Sequence, residues 1–452
     1  MGMMIIHAFV LSKEGKNFTD LMQYITSENN IKLAYRNIKK NKGSKTKGTD
    51  IRTIEHISHL NIETYVENAQ RQMADYKPKS VRRVMIPKPN GKKRPLGIPC
   101  IEDRLIQQCI KQVLEPICEA KFHHHSYGFI PDRSAKHAIA RFNSLVHKSQ
   151  THYVVDIDIK GFFDNINHSK LIKQMWTMGI RDKNLLCIIK KILKADIEGE
   201  GIPDKGTPQG GIISPLLSNI VLNELDWWIS DQWETYKTPT TYSEASSKYS
   251  WQKRRNLKEM WIIRYADDFK ILCRDSKTAF KIYNAVRLWL KERLGLDINP
   301  EKSKVTNLRK NHTEFLGIKL MMKPKRNKYV CYSHVSDKSK ENIIANIRKQ
   351  IKVIQHEKTA QNAMRLNAMI LGIHNYYNIA SHAVKDFNKI DFLILKTLKK
   401  RLKPSNKGGH SKSYIKNYGG YTGRRVMKVC GVDIFPIYAC KNNPPQGDLT
   451  RI

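Results

Sequence analysis

Residues Arg264–Lys270 read RYADDFK and set two adjacent aspartates, Asp267 and Asp268, between two apolar runs. Trp261-Ile262-Ile263 precedes them and Phe269-Lys270-Ile271-Leu272-Cys273 follows. Apolar runs around a short polar break predict two strands joined by a turn, with the aspartates at the hairpin tip. Neighbouring carboxylates repel one another and are costly to desolvate unless a divalent cation neutralises them. Ala-Asp-Asp is also ordinary chemistry for a solvated surface turn. A metal site therefore depends on what else the chain supplies.

A second acidic stretch supplies it. Tyr153–Asp164 reads YVVDIDIKGFFD, and on a strand Asp156 and Asp158 point to the same face. A carboxylate on a central strand beside the hairpin would complete a three-carboxylate cage for two Mg²⁺ ions, the arrangement that drives an in-line phosphoryl displacement. The pattern does not make both strand aspartates catalytic.

Other stretches frame this pair. In VRRVMIPKPNGKKRPLGIP (81–99), Pro89-Asn90-Gly91 marks a turn crowded by Lys88, Lys92, Lys93 and Arg94. That is a basic hairpin able to fold over a triphosphate, or a plain charged hairpin. GTPQGGIISPLLSN (206–219) is a Gly- and Pro-rich loop entering a helix, where small residues let a backbone approach a ligand. Leu105, Ile106, Ile110, Val113, Leu114 and Ile117 carry helical spacing over Asp103–Phe122. His123, His124 and His125 are consecutive, so their side chains diverge; they read as polar or packing residues, not as one metal site. Residues 15–80 look mostly helical with a loop at 41–50, 229–258 turn polar and irregular like a surface insertion, and EFLGIKL (314–320) reads as one short strand. Helical periodicity returns over 338–403, with Ile343, Ile347, Ile351 and Ile354 in register.

Composition narrows the partner class. The chain has 452 residues, 40% of them hydrophobic, and 80 Lys and Arg against 41 Asp and Glu give a formal net charge of +39. Such a charge attracts polyanions, so nucleic acid is the expected partner. No apolar run approaches the ~20 residues of a spanning helix, and the basic residues are spread through the chain; no membrane partner is expected. Eight cysteines without a CxxC pair predict reduced thiols inside a cell; the expected setting is cytoplasmic, of bacterial type, with an organelle as the alternative. Basic residues crowd Lys385–Lys428, interleaved with Tyr414, Tyr418 and Tyr421, a pattern suited to a sugar-phosphate track with stacked bases.

Taken in order, KPNGKKRPLGIP, SYGFIPDRSAKHAI, DIDIKGFFDNI, GTPQGGIISPLLSNI, RYADDF, NPEKSKV and FLG resemble the reverse transcriptases encoded by group II introns, the intron maturases. The resemblance runs over roughly residues 30–440 and includes GIHNYY at 372–377. It implies an α+β right-hand polymerase: fingers, a palm with an antiparallel sheet, a helical thumb, and a basic C-terminal segment. The corresponding division is an N-terminal extension at 1–80, fingers and palm at 81–330 with the insertion at about 229–258, thumb at 331–403 and a nucleic-acid-binding segment at 404–452.

Position by position, Asp158, Asp267 and Asp268 resemble the metal-binding triad for two Mg²⁺, with Mn²⁺ as a substitute, and Asp156 falls outside it as a structural or supporting group. Phe163 resembles the aromatic beneath the incoming sugar, whose bulk would favour deoxynucleotides. Lys88 and Arg94 resemble triphosphate ligands. Pro208, Gln209 and Gly210 resemble the border of the nascent base pair, and Tyr265 and Ala266 are further substrate contacts. Lys302 or Lys304 resembles the residue that protonates pyrophosphate.

The implied activity is RNA-directed DNA synthesis on intron RNA, with help in splicing. The alternatives are a splicing-only RNA-binding maturase and a reverse transcriptase adopted for host defence or repair. The implied partners are intron RNA, a DNA target and primer, the RNA–DNA hybrid and dNTPs, with the protein a monomer or homodimer. The sequence stops at Ile452 without the Cys- and His-rich endonuclease block of many family members, so no second-strand cleavage is expected of this polypeptide.

Overall fold

The computed structural model describes residues 2–59, 61–87, 91, 93–405, 411–419 and 426–441. The chain divides into two compact units, one formed by 1–133, 155–271 and 280–304, the other by 134–154, 272–279 and 305–452. Among the described residues no helix is long and apolar enough to cross a membrane. All eight cysteines are free thiols.

In the first unit, β1 (Arg82–Pro87) and β2 (Lys93–Ile98) form the expected antiparallel hairpin, with Pro87 opposite Lys93. The helix Ile101–Glu119 follows, with Glu102 and Asp103 in its first turn, where the helix dipole favours acids. Its apolar face is buried through Leu105, Ile110, Leu114 and Ile117. β3 (Tyr153–Ile157) ends one residue before Asp158. β4 (Trp261–Tyr265) and β5 (Asp268–Cys273) are the two strands of the aspartate hairpin. β5 lies between β4 and β3, so the two acidic stretches lie on neighbouring strands; β6 (Lys304–Asn307) comes later in the chain. Ile262, Ile263, Phe269 and Ile271 are all buried, as expected where both faces of a strand are covered.

The helix Ser214–Asp231 begins with Pro215 in its first turn, where a missing N–H costs nothing. Beyond it the polar stretch is not irregular throughout, because Ala245–Arg254 is a helix. The reason lies in its aromatics: Tyr249 stacks on the fully buried Trp233 with ring centroids 5.7 Å apart, and Gln252 donates to the Trp233 carbonyl.

The second unit holds β7 (Thr313–Phe315), β8 (Ile318–Lys325) and β9 (Lys328–Val335), an antiparallel sheet in that order. EFLGIKL is thus a hairpin, not one strand: Phe315 pairs with Ile318 around Leu316-Gly317. Both turn residues have positive φ, 53° and 74°, the geometry of a two-residue connection matched to strand twist. Three helices follow, Asp337–His356, Ala360–Tyr377 and Ala383–Leu402. Ile343, Ile347, Ile351 and Ile354 form the buried stripe of the first, as their spacing predicts. A short helix, Lys412–Tyr418, comes after them.

Candidate active site

The aspartate turn is two residues long, Ala266 and Asp267, between the ends of β4 and β5. Ala266 adopts φ 57°, a left-handed conformation that disfavours any residue with a Cβ, and it is buried. What holds it is Arg264. This guanidinium has no solvent exposure and donates to the Ala266 carbonyl at 2.8 Å, to Asn219 Oδ1 at 2.8 Å, and to both oxygens of Asp226 at 2.6–2.9 Å. Asn219 in turn donates to the Gly128 carbonyl. Gly128 lies so close to the turn that a Cβ there would sit 2.2 Å from the Ala266 nitrogen. The backbone of His125–Tyr127 bonds Arg264 on both sides. SYGF, SNIVLNELD and RYADD are therefore one hydrogen-bonded assembly that fixes where Asp267 and Asp268 stand.

The sequence reading did not single out Arg264 or Asp226. A signal existed. Asn219, Asn223 and Asp226 recur at helical spacing on a helix rich in apolar residues, which marks a buried polar face in search of partners. Asn223 meets the backbone of Lys121 and His123, so the histidine run is a packing element: His123 is buried edge-on against Trp227, and its removal from water pushes its pKa down to about 3.

On the sheet, Lys270 was read only as a strand residue, yet its ammonium is 4% exposed and bonds Asp156 at 2.6 Å and Asp268 at 3.2 Å. Burial alone would lower the Lys270 pKa, but the two carboxylates leave it raised. Asp268 keeps 44% of its side-chain surface open. Its pKa is raised, first by loss of water, then by Asp156 and Asp267, with Lys270 pulling the other way. Asp267 is exposed at the tip.

Asp158, 41% exposed, is gripped by the NPEKSK stretch. Its N–H donates to Ser303 Oγ, its carbonyl accepts from Asn299, and its carboxylate meets Lys302 Nζ at 3.3 Å. Lys302 rather than Lys304, which opens β6, reaches this aspartate.

The three aspartates carry hard oxygen donors and are open to solvent or nearly so, a set whose chemistry fits Mg²⁺ or Mn²⁺. Their side chains are not closed into the expected cage. Among the described residues no group of three His, Cys, Asp or Glu stands in ligating arrangement. Like charges diverge, and Asp158 and Asp268 each turn to a lysine.

The substrate-contact residues are partly gathered. Arg94 Nε donates to Gln209 Oε1 at 2.5 Å, and the Gly97 N–H donates to the Gln209 carbonyl. Gly210 has φ 131°, and a Cβ on it would lie 2.5 Å from the Gly97 carbonyl, so β2 and the GTPQGG loop meet backbone to backbone. Pro208 packs on Gly97, and the Thr207 N–H donates to the Phe163 carbonyl at 2.8 Å. Phe163 is half-buried, with its ring edge-on to the buried Phe162. Arg83, Met85, Asp164, Glu200 and Thr207 line a cleft of about 430 Å³ alongside. Tyr265 is half-buried before the turn. Lys88 lies outside the described residues, as does Tyr421.

Residues 86–320 match the reverse transcriptase (RNA-dependent DNA polymerase) family over more than half of the chain. The chain belongs to that family. By that membership it is an RNA-directed DNA polymerase. It is 32% identical over 321 residues to protein YkfC of Escherichia coli K12, covering 68% of this chain and 84% of that protein. It is also 32% identical over 332 residues to the group II intron-encoded protein LtrA of Lactococcus lactis, covering 64% of this chain and 55% of LtrA. Nuclear intron maturase 2 of Arabidopsis thaliana mitochondria is 24% identical over 224 residues, 40% of this chain and 29% of that one. The chain thus spans most of YkfC but about half or less of these intron proteins. The polymerase fold that the family implies, a right hand, agrees with the mixed helix and sheet described above.

Proposed function

We propose that this reverse transcriptase copies a group II intron RNA into DNA and assists excision of that intron by binding it. The observation that carries the reading is that Asp156 of DIDIK and Asp268 of RYADDFK meet on the one buried ammonium of Lys270, 114 positions from Asp156, which leaves acidic groups from both stretches at one end of a sheet. In this reading 81–330 are fingers and palm, 331–403 thumb, 404–452 a nucleic-acid-binding segment and 1–80 an extension. The protein works in the cytoplasm on intron RNA, a DNA target and primer, the RNA–DNA hybrid and dNTPs.

Asp158, Asp267 and Asp268 hold two Mg²⁺. When bound, such ions neutralise charge on the transferred phosphoryl group and lower the pKa of an attacking hydroxyl. The protein does the rest by positioning and electrostatics. Arg94 with Lys88 holds the triphosphate, and the bond from Arg94 to Gln209 links that grip to the loop bordering the new base pair. Pro208, Gly210, Tyr265 and Ala266 shape the floor of that loop and the primer end. The Phe163 ring fills the space a 2′-hydroxyl would need and so selects deoxynucleotides. Lys302 delivers a proton to the departing pyrophosphate.

Nucleic acid binding also has a helix face in its favour. Lys385, Lys389, Lys396, Lys399 and Lys400 surround Phe392, whose side chain is 80% exposed, on Ala383–Leu402. The deciding experiment is primer extension on an RNA template with Mg²⁺ and dNTPs, native chain against Asp267→Ala. The native chain should incorporate and the variant should not; equal incorporation removes the catalytic assignment. Splicing help is tested separately: the Asp267→Ala protein should still speed excision of the cognate intron at low Mg²⁺, and no acceleration sinks the maturase half.

A further inference from the structure

We infer that Lys270 and Asp156 form a built-in charge regulator of the metal site, setting how tightly Asp268 takes a divalent cation. The inference rests on the catalytic reading of Asp268 and adds two positioning residues to it. Lys270 is 4% exposed and Asp156 15%, whereas Asp268 is 44% exposed, so the regulator is buried and the regulated carboxylate is open. The ammonium is closer to Asp156, at 2.6 Å, than to Asp268, at 3.2 Å. A fixed positive charge in contact with a ligand carboxylate opposes a divalent cation approaching that carboxylate, and it does so strongly where water is excluded. Asp156, the nearer of the two carboxylates, offsets that charge. It leaves Asp268 oriented by a hydrogen bond yet free to accept an ion.

Opposite consequences follow from removing either member. With Asp156→Asn the whole charge of Lys270 falls on Asp268, and cation binding weakens. With Lys270→Met the charge of Asp156 adds to the site, and cation binding strengthens. Removing both returns the local charge to its starting value, and affinity returns near that of the native chain. A pair that merely braced the sheet would weaken binding whichever member was lost, because misplacing a ligand never improves a site.

The test is Mn²⁺ titration of the full-length protein without nucleotide, reading free Mn²⁺ by electron paramagnetic resonance, with thermal unfolding of each variant alongside. The expected order is Lys270→Met tightest, native and double variant together, Asp156→Asn weakest, with shifts on the order of tenfold each way. Weakening by both single variants, or no shift in either, overturns the inference. If Lys270→Met does not fold, Asp156→Asn against the double variant decides: the double must bind Mn²⁺ the more tightly, and equal or weaker binding overturns the inference. Because the readout is cation binding, it is independent of the polymerase assay. Loss of Mn²⁺ binding in Asp267→Ala with no response to Asp156 or Lys270 would keep the catalytic reading and discard only this one.

Discussion

Each unit is organised around one buried polar side chain, and the two differ in whether that side chain can change its charge. In the first unit it is Arg264, a cation locked to Asp226, Asn219 and the Ala266–Asp267 turn. In the second it is His374 of GIHNYY, 6% exposed, whose Nε2–H donates to the Ile437 carbonyl at 2.9 Å while Nδ1 accepts from the Tyr418 hydroxyl at 2.8 Å. Protonating the ring would make Nδ1 a second donor, and the Tyr418 hydroxyl would have to turn from donor to acceptor. The first lock is built on a cation that keeps its charge, and the second on a ring that is neutral when buried and gains a proton in acid.

Breaking the first lock should have the largest effect. Arg264→Met leaves Asp226 as a buried charge without its partner and should cost about 3–5 kcal/mol of stability, measured by denaturant unfolding. The comparison is sharpened by Arg264→Met with Asp226→Asn, which removes the stranded charge and should recover part of the stability but none of the polymerase activity, because Ala266 has still lost its anchor. If the single and double variants are equally unstable, the charge pair is not what holds this region.

The second lock should fail in acid. Burial pushes the His374 pKa down to about 4 from 6.5, so the unfolded chain takes up a proton before the folded one does. The stability this residue contributes is then complete above pH 6.5 and lost as pH falls toward 4, roughly 3 kcal/mol in all. His374→Gln should flatten that window in the slope of stability against pH. A native slope that is already flat between pH 4 and 6.5 would remove the contrast between the two units. Gly128→Ala probes the first unit with little change of charge or polarity. Its Cβ would press on the Ala266 nitrogen, and a displacement of the turn by even a fraction of an ångström should lower kcat on the order of a hundredfold. Dissolved structure, seen as a large fall in melting temperature, would instead mark Gly128 as a folding residue.

What was legible in the sequence follows the same division. The aspartate hairpin could be read because apolar runs flank a polar break, and the basic hairpin because Pro-Asn-Gly announces its turn. Arg264 and Lys270 could not, because a charged residue inside a strand reads as a solvent-facing position, and only the fold shows that Asp226 and Asp156 wait for them in the interior. The orientation of the site carboxylates was equally hidden. The family resemblance grouped Asp158, Asp267 and Asp268, but nothing in RYADDFK or NPEKSKV says that Asp268 turns to Lys270 and Asp158 to Lys302. The hairpin at 313–325 was missed because apolar residues run on through Leu316, and one glycine is a weak signal against them.

Leu316 offers the smallest and most discriminating comparison, because its turn and the Ala266–Asp267 turn share one conformational defect. Leu316 has φ 53° and Ala266 φ 57°, and both side chains strain a left-handed backbone. Leu316 is half-buried, while Ala266 is buried against Gly128. Asparagine tolerates this conformation through local hydrogen bonding. Leu316→Asn should therefore raise stability, by up to about 1 kcal/mol after the loss of some apolar contact, visible as a small rise in melting temperature with activity unchanged. Ala266→Asn relieves the same strain but has no room for its side chain, so it should lower activity. A stabilised, fully active Ala266→Asn protein would mean that the aspartate turn is held no more tightly than an ordinary hairpin, and the arginine lock would lose its purpose.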